Sequence, residues 1–181
     1  MRGGDCMKKC LIVVDYQNDF IDGSLGFKNA LEIKDQIINK VKNYRFNDHD
    51  IIFTKDTHDF DYLNTEEGKH LPVDHCIKGC RGHEIQEDVL KLIDKEDMIF
   101  EKKTFPSIDL GIYLKDKDYE FIELCGLVSN ICVISNAVIA KAALPNAHIL
   151  VDALATASVD DVMHKKSLDV MEGLHIEVIN R

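Results

Sequence analysis

Short apolar runs alternate with amphipathic ones along this chain. Runs rich in Ile, Val, Leu and Phe fall at 10–15, 50–55, 98–101, 121–126, 148–152 and 175–179, each too short for a helix. Between them, stretches at 30–44, 84–93, 109–114, 131–144 and 160–172 carry helical spacing. In the first of these, Ile33, Ile37, Ile38, Val41 and Tyr44 recur at the i, i+4, i+8 spacing of one buried face. Pro145 stops the fourth, because the residue before a proline is pushed out of the helical region. Strands that are apolar almost throughout are covered on both faces. The pattern therefore predicts an α/β fold: three α/β/α layers around a doubly wound, mostly parallel sheet.

The ends of the predicted strands are polar. Leu11-Ile12-Val13-Val14 ends in Asp15, and Ile51-Ile52-Phe53-Thr54-Lys55 ends in Asp56. Met98-Ile99-Phe100 ends in Glu101 and Lys102, and the run before Cys132 ends at Gly126. In an open parallel sheet the carboxyl ends of the strands line the crevice where ligands bind. Asp15, Asp56, Lys102 and Cys132 are thus candidate neighbours despite their separation in sequence.

Composition narrows the classes. The 181 residues are 45% hydrophobic and 30% charged, as in an ordinary globular protein, with no repeat or linker dividing them. One domain over 8–181 is expected, with 1–7 an extension or Met7 an alternative start. The net charge of −10 disfavours nucleic acid and anionic membrane as partners. No apolar run approaches the roughly 20 residues of a membrane span, and the first residues lack a secretory signal's apolar stretch. Six cysteines without framework spacing suit reduced thiols in a cytoplasm.

Cys132 carries the sharpest chemistry. It stands between a strand-like run and a helix-like one, where nucleophiles of α/β hydrolases sit. A helix N-terminus there would favour thiolate over thiol. A cysteine taken alone is more often a structural thiol, so its neighbours decide. Asp15 is a candidate base, with burial raising its pKa and the Lys102 ammonium lowering it. Backbone N–H groups of the turn at Cys132 are candidate donors to an oxyanion.

A third cluster lies between Asp56 and His75. Asp56-Thr57-His58 on an extended segment puts two ligand-type side chains on one face. With a Glu and a second His from 67–75, they form an O/N set suited to zinc, iron or manganese. A rival set, His75, Cys76, Cys80 and His83, lacks the roughly 12-residue loop that separates the ligand pairs of a zinc finger.

These residues are similar to those of a known family. Val13-Val14-Asp15-Tyr16-Gln17-Asn18-Asp19-Phe20, Asp56-Thr57-His58, Glu101-Lys102-Lys103-Thr104-Phe105-Pro106-Ser107 and Gly126 to Val133 resemble, in order and approximate spacing, the isochorismatase-like cysteine hydrolases. Within them the resemblance is to the nicotinamidase/pyrazinamidase branch, from Lys8 to the C-terminus. It implies a Rossmann-like α/β fold with Asp15 as general base, Lys102 (rather than Lys103) as its cationic partner and Cys132 as nucleophile. It implies a cis peptide at Leu127–Val128, with the N–H groups of Val128 and Cys132 as the oxyanion hole. It implies one divalent metal per chain, zinc foremost and iron or manganese next, on Asp56, His58, His75 and Glu67, with Glu66 and His70 as competitors. The metal would bind a pyridine nitrogen, and Phe20 and Leu25 would wall a pocket for a flat aromatic amide. The chain departs from the pattern in having no Trp and in placing Pro106 where a small residue is common.

The implied activity is hydrolysis of nicotinamide to nicotinate and ammonia through a Cys132 thioester. A runner-up keeps the chemistry on another small amide: pyrazinamide, or an N-carbamoyl or ureido compound. A phospho-accepting signalling domain, using Asp15, Asp56 and Lys102 around Mg²⁺, would leave Cys132 and His58 without a role. A binding module without activity would not need all three of Asp15, Lys102 and Cys132. Homo-oligomerisation is left open.

Overall fold

Each predicted strand forms, and together they make one sheet. The structure, a computed structural model, describes residues 7–181; residues 1–6, with Cys6, lie outside the described residues. The strands are β1 (Lys9–Val14), β2 (Asp50–Asp56), β3 (Met98–Lys102), β4 (Phe121–Leu127), β5 (His148–Ala157) and β6 (Glu177–Ile179). Their order is β3-β2-β1-β4-β5-β6, and every pairing is parallel. The sheet expected to be mostly parallel is wholly so. Winding proceeds outward from β1 in one direction and from β4 in the other, so the switch point lies between them.

Alternation along β1 feeds two cores. Cys10, Ile12 and Val14 face one side, where they meet Leu110 and Leu114 of α6 (Ile108–Lys115). Ala137 and Ala140 of α7 (Ile134–Ala143) and Leu168 and Met171 of α8 (Asp161–Gly173) complete that layer. Leu11 and Val13 face the other side, against Ala30 of α2 (Lys28–Glu32) and Ile37, Val41 and Tyr44 of α3 (Lys34–Phe46). Burying side chains of this size stabilises by roughly 1.5–3 kcal/mol each. Truncating Ile12 to Ala, with no exposed surface to relax into, would cost about 2–5 kcal/mol.

Several boundaries differ from the pattern. The helix expected over 30–44 is two helices broken at Ile33, which stays buried. The Tyr16 hydroxyl donates to the Ala30 carbonyl at 2.9 Å, diverting an acceptor that a continuous helix would use. The stretch 84–93 yields only the short α5 (Glu87–Leu90), capped by the Gln86 side chain. Two further short helices, α1 (Asn18–Ile21) and α4 (Glu66–His70), arise where the pattern gave no element. β5 runs five residues past the predicted 152, to Ala157, beyond a register shift opposite Leu124–Gly126.

Candidate active site

The switch point collects the polar strand ends. Gly126 makes the approach possible: its φ is +110°, and a Cβ there would lie 2.0 Å from the Val14 carbonyl oxygen. Asp15 follows β1 in the left-handed region, φ +44°, a conformation a non-glycine residue keeps only when its surroundings enforce it. Here its N–H donates to the Thr54 carbonyl at 3.2 Å, and the Thr54 hydroxyl donates to Asp15 Oδ1 at 2.6 Å. Asp15 is fully buried.

Lys102 closes β3 and reaches across the strand ends. Its Nζ lies 2.6 Å from Asp15 Oδ2, 3.2 Å from Asp56 Oδ1 and 3.5 Å from Cys132 Sγ. Asp15 Oδ2 thus has the Lys102 ammonium as its partner, while Oδ1 accepts from Thr54. Burial pushes the Asp15 carboxyl up; Lys102 opposes this and Asp56 adds to it. For Lys102, burial would lower the pKa, but Asp15, Cys132 and Asp56 outweigh it and raise it. The ammonium is therefore held charged between two carboxylates.

Cys132 departs from expectation in one respect. It sits inside a π-helical turn, Ser129–Val133, ahead of α7 rather than at that helix's first turn. The Val128 carbonyl accepts the N–H groups of both Ile131 and Val133, each at 3.1 Å, which winds the turn. Burial pushes the thiol well above its ordinary value; Lys102 opposes this, while Asp15 and Asp56 add to it. Desolvation thus favours the thiol over the thiolate, so ionising the sulfur calls for a base. The Leu127–Val128 peptide is cis, as the sequence resemblance implied.

Asp56, His58, Glu67 and His75 form the second cluster, with one ligand atom from each within 4.8 Å of the others. His58 Nε2 lies 3.1 Å and His75 Nε2 3.4 Å from Asp56 Oδ2, and both lie 3.7 Å from Glu67 Oε1. His75 Nδ1 donates to the Val73 carbonyl at 2.8 Å, which leaves Nε2 as a free lone pair facing the group. Glu67 Oε2 is buried without a partner. Two imidazoles, two carboxylates and an orphaned carboxylate oxygen fit a divalent cation. Among the competing residues, Glu66 and His70 are exposed and pair with each other. Of the rival set, Cys80 is exposed and Cys76 and His83 are not in the group. His58 and His75 hold the Asp56 carboxyl below its usual range despite its burial.

Residues the sequence reasoning passed over hold this framework. Gln17, fully buried, donates to the Asp56 and His83 carbonyls at 2.8 Å and accepts the Asp56 N–H at 2.7 Å. Asp19 accepts the Cys76 N–H at 2.7 Å and so anchors the segment carrying His75. Both lie within the quoted motif 13–20, so the signal was present but unassigned. Thr54 is the polar residue that directly follows the apolar run Ile51-Ile52-Phe53 of β2.

A cavity of about 220 Å³ joins the two clusters. Cys132 and Val128 lie on its wall, with Asp56, Glu67 and His75 as its polar lining. Phe20 and Leu25 line it, together with Phe27, Leu71, Phe105, Ile131 and Val159, which the sequence had not singled out. Among the described residues no Lys or Arg lines the cavity.

Fold and site together define a class: a doubly wound α/β protein in which a thiol, a carboxylate and an ammonium meet at the switch point beside a His–carboxylate group. The chain belongs to the isochorismatase family, the Isochorismatase domain matching residues 9–181. It is similar to an uncharacterized isochorismatase family protein, PncA, of Bacillus subtilis, 31% identical over 143 residues, 73% of this chain and 78% of that protein. Among solved structures, the pyrazinamidase/nicotinamidase of Streptococcus mutans matches with a TM-score of 0.85 at 28% identity, over 95% of this chain and 100% of that one. The pyrazinamidase of Pyrococcus horikoshii, in complex with zinc, shares the fold with a TM-score of 0.83 at 20% identity, over 96% and 99%.

Proposed function

We propose that this protein is a nicotinamidase: it hydrolyses nicotinamide to nicotinate and ammonia through a thioester on Cys132. The observation that carries the reading is the shared cavity. Cys132, backed by Lys102 and Asp15, faces an apolar, aromatic-walled space whose polar lining is the Asp56–Glu67–His75 group.

The residues divide the work by their geometry. Asp15, held at the edge of the sheet by Lys102 and Thr54, takes the Cys132 proton, and Lys102 balances the charge left on sulfur. Sγ attacks the amide carbon, and the N–H groups of Val128 and Cys132 stabilise the oxyanion. Asp15 returns its proton to the leaving nitrogen, ammonia departs, and Asp15 then activates the water that cleaves the thioester. Asp56, His58, Glu67 and His75 would hold one divalent metal, which supplies a Lewis-acid site for the ring nitrogen. Zinc is the first choice, given the donor set and the zinc-bound Pyrococcus relative. Phe20, Leu25 and Phe27 flank the ring by apolar contact.

The amide is a neutral aromatic one. A ureido or N-carbamoyl acid would bring a carboxylate into a cavity that no described Lys or Arg lines, and Lys102 behind Cys132 is already paired with two carboxylates. Pyrazinamide, isosteric with nicotinamide, would be accepted. A phospho-accepting role is not supported, since His58, His75 and Lys102 already engage Asp56. Five unpaired cysteines among the described residues support a reducing compartment, and we place the enzyme in the cytoplasm. The test is ammonia release from nicotinamide by metal-loaded wild type beside Cys132→Ala.

A further inference from the structure

One buried side chain joins the turn that carries Cys132 to the loop that carries an aromatic wall of the cavity. Asn136, on the first turn of α7, has no exposed surface. Its Nδ2 donates to the Cys132 carbonyl at 2.8 Å and to the Phe105 carbonyl at 3.1 Å. Its Oδ1 accepts the Ser107 N–H at 3.0 Å. Ser107 in turn caps α6, its hydroxyl accepting the Leu110 N–H at 3.1 Å. The loop between Lys102 and α6 thus hangs on Asn136 at two backbone points, and Phe105 at its tip lines the cavity opposite the sulfur's own turn. A buried amide with its donors and acceptor all committed leaves little freedom to either partner.

We infer that Asn136 is a positioning residue: it sets the place of the Phe105 wall relative to Cys132 Sγ, and so aligns a ring-bearing substrate for attack. The inference rests on the reading of Cys132 as the nucleophile. Displacement of a bound reactant by about 1 Å can lower rates about a hundredfold, and nothing else holds residues 103–107 to α7 by side-chain hydrogen bonds among the described residues.

The test uses an isosteric pair in the metal-loaded full chain. Asn136→Thr places a hydroxyl there that can donate to the carbonyl four residues back and accept from Ser107, whereas Asn136→Val has about the volume of Thr without the hydroxyl. Two readouts are taken per folded molecule: kcat and KM for nicotinamide, and the modification rate of Cys132 by dipyridyl disulfide relative to methyl methanethiosulfonate. The second is followed at the Cys132 peptide by mass spectrometry, because the exposed Cys80 also reacts. In Asn136→Val the pyridyl-to-methyl ratio is expected to fall about tenfold or more, and kcat with it, while Asn136→Thr stays within about threefold of wild type. A merely structural role would lower the folded fraction and leave that ratio unchanged. Identical ratios in the Thr and Val variants, at any level, would overturn the inference. A wild type that shows the ratio effect but releases no ammonia from aromatic amides would instead overturn the nicotinamidase reading.

Discussion

Lys102 Nζ lies 2.6 Å from Asp15 Oδ2, at the ends of two strands that are not adjacent: β1 and β3 stand on either side of β2. The ion pair spans the sheet's C-terminal edge and is almost wholly buried, with side chains 2% and 0% exposed. It holds the Asp15 carboxylate beside the Cys132 thiol, and the surrounding energetics follow from that placement.

Removing the cation leaves the buried Asp15 carboxylate beside that of Asp56 with no counter-charge of its own. Lys102→Met is expected to destabilise the fold by about 3–5 kcal/mol, read as a lowered denaturant midpoint at unchanged slope. Wild-type stability in this variant would mean that the carboxylates are not ionised together.

Asp15→Asn removes the proton acceptor and keeps the shape. The turnover of nicotinamide should fall by about 10²–10⁴-fold. Alkylation of Cys132 by iodoacetamide should slow as well, because the proton of the buried thiol then has no carboxylate to go to. Unchanged alkylation would show that the sulfur ionises independently of Asp15.

The second cluster makes a claim about ligand identity. Chelation of the wild type should lower its melting temperature, and restoring zinc should reverse it by roughly 4 kcal/mol at a thousandfold excess over Kd. His75→Ala and Glu67→Ala should lose both the bound metal and that shift, while Glu66→Gln and His70→Ala keep them. Metal content is the readout, with melting as its companion.

Away from the site, Lys40 lies 2.5 Å from Asp152 and 2.6 Å from Glu123. Burial opposes the Asp152 charge, but Lys40, the Asn180 amide and the Leu154 N–H hold its carboxyl below the usual range. A carboxyl depressed in the fold stabilises fully above its unfolded value, about 3.9, and that stability is lost as pH falls through its folded value. Asp152→Asn should therefore be less stable than wild type at pH 7, with the gap closing below about pH 4. A gap independent of pH would assign the loss to packing alone.

Much of this was legible in the sequence because it is periodic. Apolar strands ending in Asp15, Asp56 and Lys102 announced both the sheet and its functional edge. Glu67 became distinguishable from Glu66 only through α4, which buries one of two adjacent carboxylates and exposes the other. The left-handed turn at Asp15 and the π turn at Cys132 depend on contacts with Thr54 and Val128, which no local pattern encodes. Asn136 looks like a polar intrusion on an apolar helix face until the loop it bonds is in place. The break at Ile33 likewise needs Tyr16, distant in sequence, to claim the Ala30 carbonyl.

The central claim is that Cys132 attacks a neutral aromatic amide seated between the two clusters. It is tested most directly by incubating the metal-loaded enzyme with nicotinamide, trapping at acid pH, and weighing the intact protein beside Cys132→Ala. Ammonia release with a nicotinoyl adduct on Cys132, both absent in the variant, is the expected result. Ammonia released equally by Cys132→Ala would contradict it.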